Sequence, residues 1–168
     1  MGIITAAIYD KGPLKEMIHH LKYTGYKSFA EDLGHLIFLR LNKKTPPGKI
    51  LVVPVPLHPK KESGRGFNQA ELIAEYFSKK LKLSGACVLV RTKETETQVK
   101  LDRNERLKNL KGAFACRDKK TVKGKTILLV DDVTTTGATL NECAKVLLES
   151  GAKSVWGVVA AKRIGSRG

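Results

Sequence analysis

The sequence holds only three cysteines, Cys87, Cys116 and Cys143, in 168 residues, and no two stand in C-x-x-C spacing. That argues against a zinc ribbon and a disulfide framework, and leaves the three as small, buried apolar residues of a reducing compartment. Long apolar runs are missing as well: none approaches the ~20 residues that a membrane span needs. The N-terminal MGIITAAIYDKGPLKEM has no basic flank ahead of a long apolar core, so no secretory leader is read there. Ala6 stands where a myristoylation signal wants Ser or Thr. A soluble, cytoplasmic chain is expected. Acid is scarce too: 16 Asp and Glu face 31 Lys and Arg, a formal net charge of +15. Such a balance points to a polyanionic partner, nucleic acid or small phosphorylated compounds, although a lysine-rich solubilising surface gives the same count.

The basic residues are unevenly spread. Arg91 to Lys125 carries twelve of them against five acids, with little apolar content. That segment reads as a long surface loop region. Elsewhere the apolar pattern is regular. Helical spacing is set by Leu14, Met17, Ile18 and Leu21 after Gly12-Pro13, and by Phe29, Leu33, Leu36 and Ile37. Two further helices follow from Ala70, Ile73, Ala74, Phe77 and Leu81, and from Leu140, Cys143, Ala144, Leu147 and Leu148 up to Gly151.

Between the helices lie β-rich runs at 49–56, 86–91, 125–132 and 154–163. They are continuously apolar rather than alternating, which predicts strands covered on both faces. The order is that of an α/β fold, a mainly parallel twisted sheet with helices on both faces. Residues 49–168 form its core. Residues 1–48, a strand and two helices, are expected as an appendage or hood packed on that core, effectively within one domain. Ligands of such sheets sit beyond the carboxyl ends of the strands, which brings together the loops 54–66, 92–112 and 131–139.

The stretch ILLVDDVTTTGATL (127–140) carries the sharpest chemistry. Asp131 and Asp132 stand side by side at the end of a buried strand, and a Thr/Gly loop then leads into a helix. Backbone N–H groups at a helix start, threonine hydroxyls and a tight glycine turn suit a phosphate dianion. Paired carboxylates beside such a nest suit sugar hydroxyls, met directly or through hydrated Mg²⁺. A phosphorylated ribose satisfies both halves. The competing reading is that one Asp caps the helix and the threonines form an ordinary turn, which leaves the second acid unexplained.

VDDVTTTGAT resembles the phosphoribosyl pyrophosphate (PRPP) motif of type I phosphoribosyltransferases. The resemblance implies that Asp131 and Asp132 hold the ribose hydroxyls, with or without Mg²⁺, as the catalytic acids. It implies that Thr134, Thr135, Thr136, Gly137, Ala138 and Thr139 hold the 5-phosphate. VPVPLHPKKESGRGFNQA (53–70), with the pattern Gln98-x-x-Leu101, Arg106-x-x-Asn109 and Gly112-Ala113-Phe114, is similar to the ComF/GntX-like branch, associated with competence and DNA uptake. There the proline-rich start fixes an extended turn, and Lys60, Lys61 and Arg65 are implied as pyrophosphate ligands. Arg65, between two glycines, is the best placed of these. His58 reads equally as a ligand contact or a packed turn residue, whereas His19, His20 and His35 read as structural or surface residues. Arg91, Gln98, Arg103 and Arg106 are the candidates for a lid or for nucleic-acid contact.

Many full-length relatives in that branch carry a four-cysteine zinc module ahead of the transferase-like domain. This sequence shows none, so Mg²⁺ is the metal expected and zinc is not. Two activities remain open at this level. One is a PRPP-dependent transfer of phosphoribosyl to a nitrogen acceptor, by an oxocarbenium-like transition state that needs no covalent protein nucleophile. The other is single-stranded DNA handling alongside DNA-uptake proteins, with the PRPP site regulatory or vestigial. No element recognising a base can be singled out, although Tyr23 and Tyr26 are available for an apolar hood or for the core.

Overall fold

The computed structural model describes residues 2–9, 12–41, 45–93 and 110–163. Its centre is a parallel five-stranded sheet in the order β1-β7-β6-β2-β3. The strands are β1 (Gly2–Ile8), β2 (Ile50–Pro54), β3 (Ser84–Gly85), β6 (Thr126–Thr134) and β7 (Ser154–Lys162). A separate antiparallel ribbon pairs β4 (Leu89–Arg91) with β5 (Phe114–Cys116). The helices are α1 (Pro13–Tyr23), α2 (Phe29–Leu41), α3 (Pro59–Arg65), α4 (Gln69–Leu81), α5 (Lys119–Val122) and α6 (Ala138–Glu149).

The continuous apolar runs become strands because alternate residues serve opposite faces. Val52, Leu128, Val130 and Val158 join Ile18, Leu21, Leu33, Ile37, Ile73 and Phe77 from α1, α2 and α4 in one core. Leu51, Val53, Ile127, Leu129, Val155 and Val159 meet Leu140, Cys143 and Leu147 of α6 on the other side. The four predicted helices are all present. The segment 1–48 contributes both a sheet strand, since β1 pairs in parallel with β7, and two of the helices covering one face.

Two expectations are corrected. The run 86–91 does not enter the parallel sheet: only Ser84 and Gly85 pair with β2, opposite Leu51 and Val52. Val88 and Leu89 instead bury themselves with Phe114 and Leu110 over α6, so the short ribbon covers that helix. The extended turn expected after Pro54 persists only through His58. Pro59 suits a first helical turn, the ring of His58 accepts the Lys60 N–H at 3.3 Å, and Gly66 closes α3 at φ 78°. The cysteines also divide: Cys143 is buried, Cys116 half-buried and Cys87 exposed.

Helices α2 and α4 pack closely at Gly34, where a Cβ would stand 2.7 Å from Cδ1 of Tyr76. An exposed helical glycine gains up to about 1 kcal/mol on replacement by alanine. Here crowding opposes that gain, and Gly34→Ala is expected to cost about 1–2 kcal/mol in urea unfolding. A stabilised variant would show that the helices have room to spare.

Candidate functional site

Strand β6 outlasts its neighbour. β2 ends at Pro54, opposite Val130, while β6 pairs on with β7 as far as Thr134 and Lys162. The acids therefore lie within the overhanging part of β6 rather than beyond it. Each carboxylate turns one oxygen back to the chain: Asp131 Oδ1 accepts the Asp132 N–H at 2.9 Å, and Asp132 Oδ1 accepts the Val133 N–H at 2.6 Å. Neighbouring strand residues face opposite ways, so each acid meets a different layer.

Asp132, buried, meets α1. Lys22 Nζ lies 2.7 Å from its Oδ2, and the lysine side chain keeps 24% of its surface in water. Burial works against the charge on Lys22, but Asp132 and then Asp131 outweigh it and hold the ammonium above its ordinary pKa. Asp131 sits among groups of the other layer. Burial first, and the adjacent Asp132 second, push it up to about 8, with Lys22 opposing. Arg91 and Cys143 both feel its charge. The thiol of Cys143 is driven well up by burial and then by Asp131, which makes it unreactive. Arg91 is lowered by burial yet stays a cation, and its guanidinium lies 5.5 Å from the centre of the Phe114 ring.

Two cavities open beside the acids. One, of about 220 Å³, is walled by Lys61, Arg65, Asn68, Gln69, Arg91, Asp131 and Asp132. The other, of about 270 Å³, is walled by Val133 to Thr139 and Arg163. Lys22, Asp131 and Thr139 line both. The second is the predicted phosphate loop. Gly137 adopts φ 79°, a left-handed conformation that favours glycine, and it gives α6 no side-chain cap. Thr136 Oγ1 accepts the Ala138 N–H at 3.3 Å. Backbone N–H groups at the start of this twelve-residue helix make a setting for an anion.

The first cavity gathers part of the predicted pyrophosphate set. Lys61 and Arg65 line it, whereas Lys60 is exposed and does not. Arg65 donates from Nη1 to Gln69 Oε1 at 3.0 Å and lies 5.4 Å from the centre of the Tyr23 ring. Gln69 is 3% exposed, and its Nε2 meets no acceptor among the described residues. Asn68 ties the turn down, accepting the Ala70 N–H and donating to the Val55 carbonyl at 3.1 Å. His58 serves as the cap of α3. Gln98, Arg103 and Arg106 lie outside the described residues. Lys22, Gln69 and Arg163 were not among the sequence candidates. A lone lysine, glutamine or arginine carries no spacing signal, and each reaches the site through the fold.

A threonine-lined cavity at a helix start and a cation-lined cavity, joined at an acid pair on the carboxyl edge of a parallel sheet, define a class. The chain belongs to the phosphoribosyl transferase domain family, which matches residues 64–168. Within it the chain belongs to the ComF group of competence and DNA-utilization proteins. It is 37% identical over 158 residues to DNA utilization protein YhgH of Escherichia coli (strain K12), covering 91% of this chain and 68% of that protein. To competence protein F of Haemophilus influenzae it is 35% identical over 157 residues, covering 89% and 69%. To competence protein ComFC of Bacillus subtilis it is 33% identical over 138 residues, covering 82% and 55%. Among solved structures, glutamine PRPP amidotransferase from B. subtilis superposes with a TM-score of 0.54 at 15% identity, over 80% of this chain and 26% of that one. That likeness concerns the fold. No helix among the described residues is long and apolar enough to cross a membrane.

The raised Asp131 has a consequence for stability. Its folded pKa, about 8, exceeds the ordinary value of an unfolded aspartate, so the folded state binds the proton more tightly. The stabilisation this supplies is full below about pH 4 and is lost as pH rises towards 8. Asp131→Asn is expected to melt on the order of 5–10 °C above the parent at pH 8 and level with it near pH 4. A difference in melting temperature that does not change with pH would contradict the strained acid.

Proposed function

We propose that this protein binds PRPP and transfers its phosphoribosyl group to a nitrogen acceptor. The observation that carries this reading is the pair of cavities sharing Asp131, with a phosphate nest on one side and a cationic wall on the other. PRPP bears a phosphate at one end, a diphosphate at the other and a diol between them. The nest at Thr134–Thr139 suits the 5-phosphate, the acids suit the diol, and Lys61, Arg65 and Arg91 suit the diphosphate. The buried, unsatisfied NH₂ of Gln69, at a cost of about 1–3 kcal/mol, fits a wall built for a ligand rather than for stability alone.

Two adjacent carboxylates offer the hard oxygens that Mg²⁺ prefers, and Mg²⁺ commonly uses one or two carboxylates plus substrate phosphates rather than a protein cage. Asp131 and Asp132 would hold it, largely through water. Bound there, Mg²⁺ supplies charge neutralisation for the departing diphosphate.

In the transfer, the acceptor nitrogen forms a bond to the anomeric carbon while the bond from that carbon to the diphosphate oxygen breaks. The acceptor then loses its proton to solvent. Lys61, Arg65 and Arg91 neutralise the leaving group, and the carboxylates face the cationic sugar. PRPP with Mg²⁺, at about 100 times its Kd, is expected to stabilise the protein by about 2.7 kcal/mol, a rise in melting temperature of several degrees. The double variant D131A/D132A should lose that rise. An equal rise in the variant would remove the acids from the site.

A second reading, single-stranded DNA binding, is favoured by a specific feature. Tyr23 and Tyr26 are 67% and 59% exposed. Arg65 stacks on Tyr23, and Lys27 lies 5.1 Å from the centre of the Phe67 ring. Exposed aromatics among cations are the elements of a stacking platform for bases, and the two activities are compatible. Oligonucleotide affinity should fall with salt, by ~0.7 log units per log unit for each neutralised phosphate. Y23A/Y26A should weaken binding about tenfold or more with little change in that slope. Absence of binding at low salt would eliminate this reading.

A further inference from the structure

Among the described residues Lys22 is the only cation that lines both cavities, and it comes from α1, outside the span that matches the phosphoribosyl transferase domain. Buried Ile18 and Leu21 pin the helix to the sheet, so the ammonium is delivered by packing rather than by a flexible loop. Its Nζ stands 2.7 Å from Asp132 Oδ2. A 5-phosphorylated ribose entering the nest brings a dianion towards two adjacent carboxylates. Like charges at such separations repel by several kcal/mol in a partly buried site, and a cation between them offsets this. Enzymes of phosphate chemistry commonly recruit a divalent ion for that purpose. Here an ammonium already pairs with Asp132, and its residue lines the cavity of the nest as well.

We propose that Lys22 is a positioning residue that serves as the built-in cation of this site: it balances Asp132 and the incoming phosphate together, so that a 5-phosphorylated ribose binds without a divalent ion. The inference rests on the PRPP reading but confines itself to the ribose-phosphate half of the ligand. The diphosphate half keeps its own need for Mg²⁺. Asp132 and Asp131 both attract the ammonium, and Arg65 repels it.

The test titrates ribose 5-phosphate calorimetrically into the full chain, once in EDTA and once in excess Mg²⁺. Wild type should bind with affinities within about threefold in the two buffers. Lys22→Met should bind at least about tenfold more weakly in EDTA and regain most of the loss in Mg²⁺, since the ion takes over the missing charge. Lys22→Arg should behave as wild type in EDTA. Where Lys22→Met is not folded by circular dichroism, Lys22→Gln carries the same comparison.

Unchanged affinity of the neutral variant in EDTA would overturn the proposal. So would an equal loss in both buffers, which would make Lys22 a direct contact that metal cannot replace, and so would a wild type that binds only with Mg²⁺. A wild type that binds ribose 5-phosphate in neither buffer would instead sink the PRPP reading itself.

Discussion

The arrangement depends on one electrostatic constraint: two carboxylates on consecutive residues of a buried strand must be balanced from both sides of the sheet. Consecutive strand residues point to opposite faces, so the two acids lie against different layers, although the charge of Lys22 acts on both. Asp132 is met at 2.7 Å by Lys22, from the helical layer laid down before the core begins. Asp131 feels Arg91, from the ribbon that covers α6. Burial and the adjacent Asp132 push Asp131 up to about 8 even with Lys22 opposing.

The fold exposes this unstable pair through a mismatch of strand lengths. Proline at position 54 closes β2 opposite Val130, and among the described residues β6 runs on with β7 alone. The edge left bare is the one the acids occupy. Around it stand the start of α6, uncapped at Gly137, and the turn 55–58, held by Asn68. The acid pair and the buried Gln69 Nε2 carry an electrostatic or hydrogen-bonding cost, and with these elements they surround a space suited to an anionic polyol. Such a concentration of local cost is expected at a binding site rather than in a core.

Much of this was legible in the sequence because it is local. The runs ILVVP and ILLV are strands on composition alone, and DDVTTTGAT carries both the acids and the nest in unbroken order. Glycine at 137 and threonine at 136 act on their immediate neighbours. What was not legible is what comes from afar. Lys22 reads as a solvated lysine on an amphipathic helix, and nothing in its neighbourhood says that it lies under residue 132. Leu89 to Arg91 looks like any sheet strand, because only its partner Phe114–Cys116, in another part of the chain, shows that it belongs to a ribbon. Gln69 reads as a polar first-turn residue until its burial is seen. The helix α3 was missed for a different reason: two prolines flanking His58 suggested extended chain, although Pro59 is as well suited to open a helix.

The same constraint binds the N-terminal segment to the chemistry. The span matching the transferase family starts at residue 64, yet the acid pair within it is balanced by a lysine at position 22, and Arg65 lies 5.4 Å from the centre of the Tyr23 ring. Strand β1 pairs along most of β7, and among the described residues β7 is the strand that pairs with the overhanging part of β6. Loss of the first layer would thus remove the counter-ion of Asp132 and expose the outer edge of β7. Breaking a buried ion pair by removing one partner costs about 3–5 kcal/mol, less where, as for Lys22, part of the side chain is in water. That is a large share of the 5–15 kcal/mol available to a domain. Site and fold therefore share one energetic dependency, and residues before the matched span belong to both.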